Sequence, residues 1–182
     1  GTSHEDATAR AMGYRAALLP GAFVSGHVTR LALDIWGEAW LARGRAQVRF
    51  RRPVFSGDTL RIVGDQLAEA DGLEARVTVT DAATGAVVLD GSIGLTVTPP
   101  QLPPDFTVLP LPAEPTALAP GMVPVGRRLG TATTLFTLEL VKQSLRDFHE
   151  TAAVYAAKNL VHSGMLVRRT MSDTLGNFVL PM

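Results

Sequence analysis

Apolar and polar positions along this chain change period twice, and each change marks an element. From about Ala22 to Trp36, Phe23, Val24, His27, Val28, Leu31, Ala32 and Ile35 recur at helical spacing. Leu33 and Ala22 add apolar character to the other face, so the pattern predicts a long helix enclosed by other structure. A shorter helix is expected over Ala7–Met12, and Tyr14–Leu19 leads from it to Pro20-Gly21.

Period two then takes over. Arg45–Arg52, Asp58–Ala68 and Leu73–Asp81 alternate, the last through Ala75, Val77 and Val79. Gly64 reads as a bulge. Ala82-Ala83-Thr84-Gly85 reads as a hairpin turn, with Gly85 at positive φ. Val87–Val97 returns as a strand in which Gly91 and Gly94 suggest a bend.

Proline divides the chain. Residues 1–98 form the first block, 99–124 hold nine of the twelve prolines and read as an extended linker, and 125–182 form a second patterned block. In that second block Leu129–Leu140 is rich in Thr, Leu and Phe, Val141–Phe148 reads as helix, and Met165–Leu175 reads as a helix ended by Gly176-Asn177. Leu19-Pro20-Gly21-Ala22-Phe23-Val24 and Val161-His162-Ser163-Gly164-Met165-Leu166 look like one position in two copies: loop, glycine, buried helix. The strands that should follow the second copy are absent. Phe178-Val179-Leu180-Pro181 reads as the lead-in to another strand, so the native chain is expected to continue past Met182.

Composition narrows the chemistry. Seventeen Lys and Arg balance seventeen Asp and Glu, so bulk charge predicts neither a nucleic-acid nor an anionic-membrane partner. The one local excess is Arg43, Arg45, Arg49, Arg51 and Arg52. Its plainer reading is outward strand positions, with Val48 and Phe50 inward. Its sharper reading is a landing site for the phosphates of a CoA-type carrier. No cysteine is present, which excludes disulfides, thiolate zinc sites and cysteine nucleophiles. No run of about 18 apolar residues predicts a membrane span. No signal peptide is visible, and a cytoplasmic location is expected. The chain opens on Gly1 rather than Met, which leaves room for residues upstream.

Three patches resemble the MaoC-like dehydratase family in its double-hotdog form. They are Ala9-Arg10-Ala11-Met12-Gly13-Tyr14 through Leu19-Pro20-Gly21, then Val48-Arg49-Phe50-Arg51-Arg52-Pro53-Val54-Phe55-Ser56-Gly57-Asp58-Thr59-Leu60, then Val161–Leu166. The resemblance implies an α+β hotdog fold, a curved antiparallel sheet wrapped around a long central helix, in tandem. Residues 1–98 would be the first module and 125–182 the first part of a second. It implies an acyl thioester of CoA or of an acyl carrier protein as substrate, reversible hydration of a 2-enoyl thioester as reaction, no metal or redox cofactor, and homo- or hetero-oligomers through module pairing.

Such a hydratase needs a histidine and a carboxylate to move protons, and backbone N–H groups at a helix start to receive the enolate oxygen. His4 lies seventeen residues before Gly21, one short of the family's spacing, and is the candidate catalytic histidine of the first copy. The family's Asn-Pro is not matched, and its Asp would fall before residue 1. The plainer reading of His4 is a surface residue at a helix start that Ser3 caps. Asp147 and His149 are the candidates in the second copy, although they stand two apart where the family's pair stands five apart. Gly21 and Gly164 would let a substrate carbonyl approach a helix start; otherwise they simply fit tight turns. Ser25 and His162 are further substrate-binding candidates, with a bonded loop position the plainer reading of His162. His27, on a mostly apolar face, reads as a core histidine.

Two rival functions remain open. A thioesterase of the same fold typically places a carboxylate on the central helix, and Asp34 is the only acid between Gly21 and Trp36. A non-catalytic module that binds acyl groups or pairs with a subunit would need no catalytic pair.

Overall fold

The structure, a computed structural model, describes residues 2–67, 72–98, 107–117, 125–126, 128–175 and 177–179. The chain divides into two compact units, 1–99 and 100–182. No helix among the described residues is long and apolar enough to cross a membrane.

The first unit is a four-stranded antiparallel sheet with three helices. Helix α1 spans Asp6–Ala11, α2 Gly21–Trp36 and α3 Glu38–Arg43. Strands β1 (Gly44–Phe50), β2 (Leu60–Gln66), β3 (Glu74–Asp81) and β4 (Val87–Leu95) lie in the order β1-β4-β3-β2. The alternation read from the sequence is the reason. Ala75, Val77 and Val79 on β3 and Leu89 and Ile93 on β4 are wholly buried, while Arg76 between them is exposed. Asp81 closes the β3–β4 turn by accepting the Ala83 and Thr84 amides on Oδ1, and Gly85 takes φ +70° as expected.

Helix α2 buries Val24, Val28, Ala32 and Leu33. Its exposed stripe is His27, Arg30 and Asp34, three positions on one face. His27 is therefore solvent-facing, not a core histidine. Asp34 pairs with Arg30 at 3.0 Å within that stripe, which removes it from any interior role.

Three glycine readings change. Gly64 is no bulge, because β2 and β3 pair in unbroken register from Leu60↔Asp81 to Gln66↔Ala75. It makes room for α2 instead: a β-carbon there would sit 2.8 Å from Leu31 Cδ2. The register shift of the sheet falls at Val79/Thr80. Gly91 and Gly94 both pair regularly with β1 and β3, and what they permit is close approach of neighbouring backbone at the Gln47 and Leu73 carbonyls. Strand β1 is an edge strand, exposed along nearly its whole length, so Phe50 is half-exposed rather than enclosed.

Helix α3 was not foreseen. It follows Gly37 at φ +56° and turns Trp40 into the core, where its ring stacks on Trp36 at a centroid distance of 6.1 Å. Trp36 Nε1 donates to the Gly72 carbonyl at 2.7 Å.

The second unit has α4 (Leu138–Asp147), α5 (Ala153–Ala157) and α6 (Ser163–Leu175). Two-residue strands β5 (Thr116–Ala117) and β6 (Phe178–Val179) pair in parallel. The start of a strand expected at Phe178 is thus present as β6, while Gly176 and Leu180–Met182 lie outside the described residues. So do 99–106 and 118–124 of the proline-rich stretch. Its described part belongs to the second unit: Thr131 N donates to Leu109 O, and Thr116 N to Asn177 O. Asn177 is buried, and its amide pairs with both the N–H and the carbonyl of Gly130. No sheet wraps α6 among the described residues.

Candidate functional site

Of the first-unit candidates, His4 lies where three short segments cross. Residues 17–19 run antiparallel to the turn at Val54–Ser56: Leu19 N donates to Val54 O, Ser56 N to Ala17 O, and Leu18 bridges Phe55. On the other side the same segment meets the N-terminus. Leu18 N donates to Ser3 O at 2.9 Å, and His4 Nδ1 donates to Leu18 O at 2.7 Å. Asp6 Oδ1 accepts the Ala17 amide at 2.7 Å. Neither Ser3 nor any other side chain caps α1, whose N-cap position is Glu5, so the capping role expected of Ser3 is absent.

The His4 contact places a proton on Nδ1, because a carbonyl oxygen only accepts. In the neutral imidazole this selects the Nδ1–H tautomer, whose Nε2 carries the lone pair. That is the form a general base needs. Among the described residues no carboxylate is bonded to His4.

A charged clasp fastens the same crossing. Asp58 Oδ2 accepts the Phe55 amide at 2.9 Å, while Oδ1 accepts from Arg15 Nη2. The Arg15 guanidinium also lies 4.3 Å from the Phe55 ring centroid. The Arg15 hydrogen bond holds the Asp58 carboxyl below its usual range, with the Phe55 amide helping and burial opposing.

Leu18 stands three residues before Gly21, and Pro20 is the N-cap of α2. Gly21 has an ordinary negative φ, so glycine is not required there by backbone conformation. What meets it is Phe50, whose Cζ would lie 2.8 Å from a β-carbon at Gly21, so a larger residue would have to move the ring. The ring thus rests on the helix start where a substrate carbonyl was expected. Ser25 Oγ donates back to the Ala22 carbonyl at 3.1 Å, which spends its proton within the helix.

The second-unit candidates separate. Asp147 is the last residue of α4; Gln143 donates to it, and Arg168 faces it at 3.6 Å. His149 follows the helix end at φ +50° and is exposed. No hydrogen bond joins the two, so the expected Asp147–His149 pair does not form. Asp147 instead lines a cavity of about 250 Å³ between α4 and α6, with Leu140, Gln143, Met165, Arg168 and Arg169.

His162 acquires the acid partner that sequence reasoning missed. Its Nε2 lies 3.6 Å from Glu150 Oε2, and both side chains are at most 3% exposed. Nδ1 accepts the Gly164 amide at 3.1 Å, and the His162 amide donates to Ser144 Oγ. Phe148 stacks on the ring at 4.4 Å and Tyr155 tilts against it at 5.5 Å. Gly164 is needed because any β-carbon would overlap the Phe148 ring. His162 and Gly164 are therefore packed and sealed, not open to substrate. Nothing in the sequence around His162 points to Glu150.

Among the described residues, no three His, Asp or Glu side chains converge as a metal site. No protein-family model, no curated protein and no solved structure matches this chain.

Proposed function

We propose that the protein is an acyl-thioester hydratase or dehydratase of the MaoC-like type, working from its first unit on a hotdog arrangement of α2 and the sheet. The observation that carries this reading is the His4 Nδ1–Leu18 O hydrogen bond. In the neutral imidazole it makes Nε2 the proton acceptor, and it ties His4 to the segment that runs into α2. In the hydration direction Nε2 takes a proton from water as its oxygen bonds to C3 of the 2-enoyl thioester. The same proton is returned to C2, so one H and one OH add across the double bond. Backbone N–H groups at the start of α2 would stabilise the enolate oxygen. The substrate class is a CoA or carrier-protein thioester, the setting cytoplasmic, and the working form a homo- or hetero-oligomer.

A second reading, a non-catalytic acyl-binding or subunit-pairing module, is favoured by one observation: Phe50 rests on Gly21, in the space a reacting carbonyl would use. A thioesterase is disfavoured by the Arg30–Asp34 pair on the exposed stripe of α2.

Hydration of a short 2-enoyl-CoA, followed by loss of thioester-enone absorbance, separates the readings. Turnover that falls by about a hundredfold or more in His4→Ala and persists in His149→Ala is the expected result. Saturable acyl-CoA binding without turnover in the wild type would replace the hydratase with the binding module.

A further inference from the structure

We propose that Arg15 and Asp58 are a positioning pair that holds the His4 imidazole as its Nδ1–H tautomer and so keeps Nε2 as the proton acceptor. The catalytic consequence rests on the hydratase reading; the positioning itself does not.

In an extended segment, neighbouring residues point their N–H and C=O groups to opposite sides. The Ala17 carbonyl and the Leu19 amide face Ser56 and Val54, while Leu18 turns its own groups toward Ser3 and His4 and the Ala17 amide donates to Asp6. The place of the Leu18 carbonyl is thereby set by the segment's bonds to Ser3 and Asp6, together with how it sits on the Val54–Ser56 turn. That contact is a single isolated bridge, too short to hold register by itself. What fastens it is Asp58, whose side chain is 9% exposed and whose two oxygens bind the turn at Phe55 and the segment at Arg15. Arg15 adds its contact over the Phe55 ring. A neutral imidazole left to itself prefers Nε2–H, so the His4 tautomer depends on this carbonyl staying in reach.

Imidazole 15N shifts of the full chain test this at about pH 8.5, roughly two units above the ordinary histidine pKa. Asp58→Asn keeps an acceptor for the Phe55 amide and removes the charge facing Arg15. Arg15→Gln changes a side chain that is 57% exposed and tests the other arm without threatening the core. His162 is the internal control, since its Nδ1 accepts from Gly164 and its Nε2–H form should persist in every sample. The expected result is His4 as Nδ1–H in the wild type and mainly Nε2–H in both variants, with His162 unchanged. On the hydratase reading kcat then falls at least about tenfold with little change in KM. His4 retained as Nδ1–H in both variants, with His162 unchanged, would overturn the proposal. A tautomer change in a protein without turnover would uphold the positioning pair and remove the hydratase.

Discussion

Phe50 rests on Gly21, and the second unit repeats the relationship with Phe148 on Gly164. In both, an aromatic ring lies on a glycine in the first turn of a helix, but the rings differ in freedom. Phe50 is 50% exposed on an edge strand, whereas Phe148 is 4% exposed and stacked on His162.

That difference predicts unequal costs for one substitution. In Gly21→Ala the ring can swing into solvent, and alanine's better helix propensity offsets part of the clash, so the loss should stay below about 1 kcal/mol. In Gly164→Ala the ring has no free space, and about 2–3 kcal/mol should be lost. Urea midpoints of the two variants, compared with wild type, check the ranking. Equal effects would contradict the packing described.

Gly91 makes a stronger case because the obstacle is backbone. A β-carbon there would overlap the Gln47 carbonyl across the β1–β4 ladder, and a backbone cannot rotate aside. Gly91→Ala should cost about 3 kcal/mol or more. Amide exchange would report it as lost protection along β1, the edge strand, before β3.

The sheet was legible because its burial has period two: Val77 and Val79 face in and Arg76 faces out, as their alternation says. Helix α2 was legible for the same reason at period 3.6. Gly64 was misread because a bulge and a close helix approach leave the same mark, a lone glycine in a strand. Helix α3 escaped because six residues are under two turns, too few to show a period. At the site, His4 could be singled out by its distance from Gly21, but its tautomer depends on a carbonyl fourteen residues away. The Glu150–His162 pair was illegible because the partners stand twelve positions apart, across helix α5 and a turn with Asn159 at φ +50°. No local pattern encodes that reversal.

His162 should therefore matter to stability more than to turnover. Its ring is held between Phe148 and Tyr155 and its Nδ1 serves the Gly164 amide, so His162→Ala leaves both a cavity and an unpaired buried N–H. A loss of about 3–4 kcal/mol is expected, close to that of a buried aromatic. Far-UV and near-UV melts would show it, while 2-enoyl-CoA turnover, where the first unit remains folded, should stay near wild type.

Asp58 links the same architecture to pH. Its carboxyl is held below the usual range first by the Arg15 hydrogen bond, so the folded state binds its proton less readily than the unfolded chain does. A depressed folded pKa means that stability rises with pH where the unfolded state holds more protons. The contribution is complete above the unfolded value, about pH 4, and disappears as pH falls through the lower folded value. Wild type and Asp58→Asn should therefore differ most in urea midpoint at neutral pH and converge toward about pH 3. Glu74 titrates in the same direction, through Ser92 and Arg45, but it is common to both proteins and cancels in the difference. A gap between them that stayed constant from about pH 7 to pH 3 would mean that the Arg15 clasp does not act through the Asp58 charge.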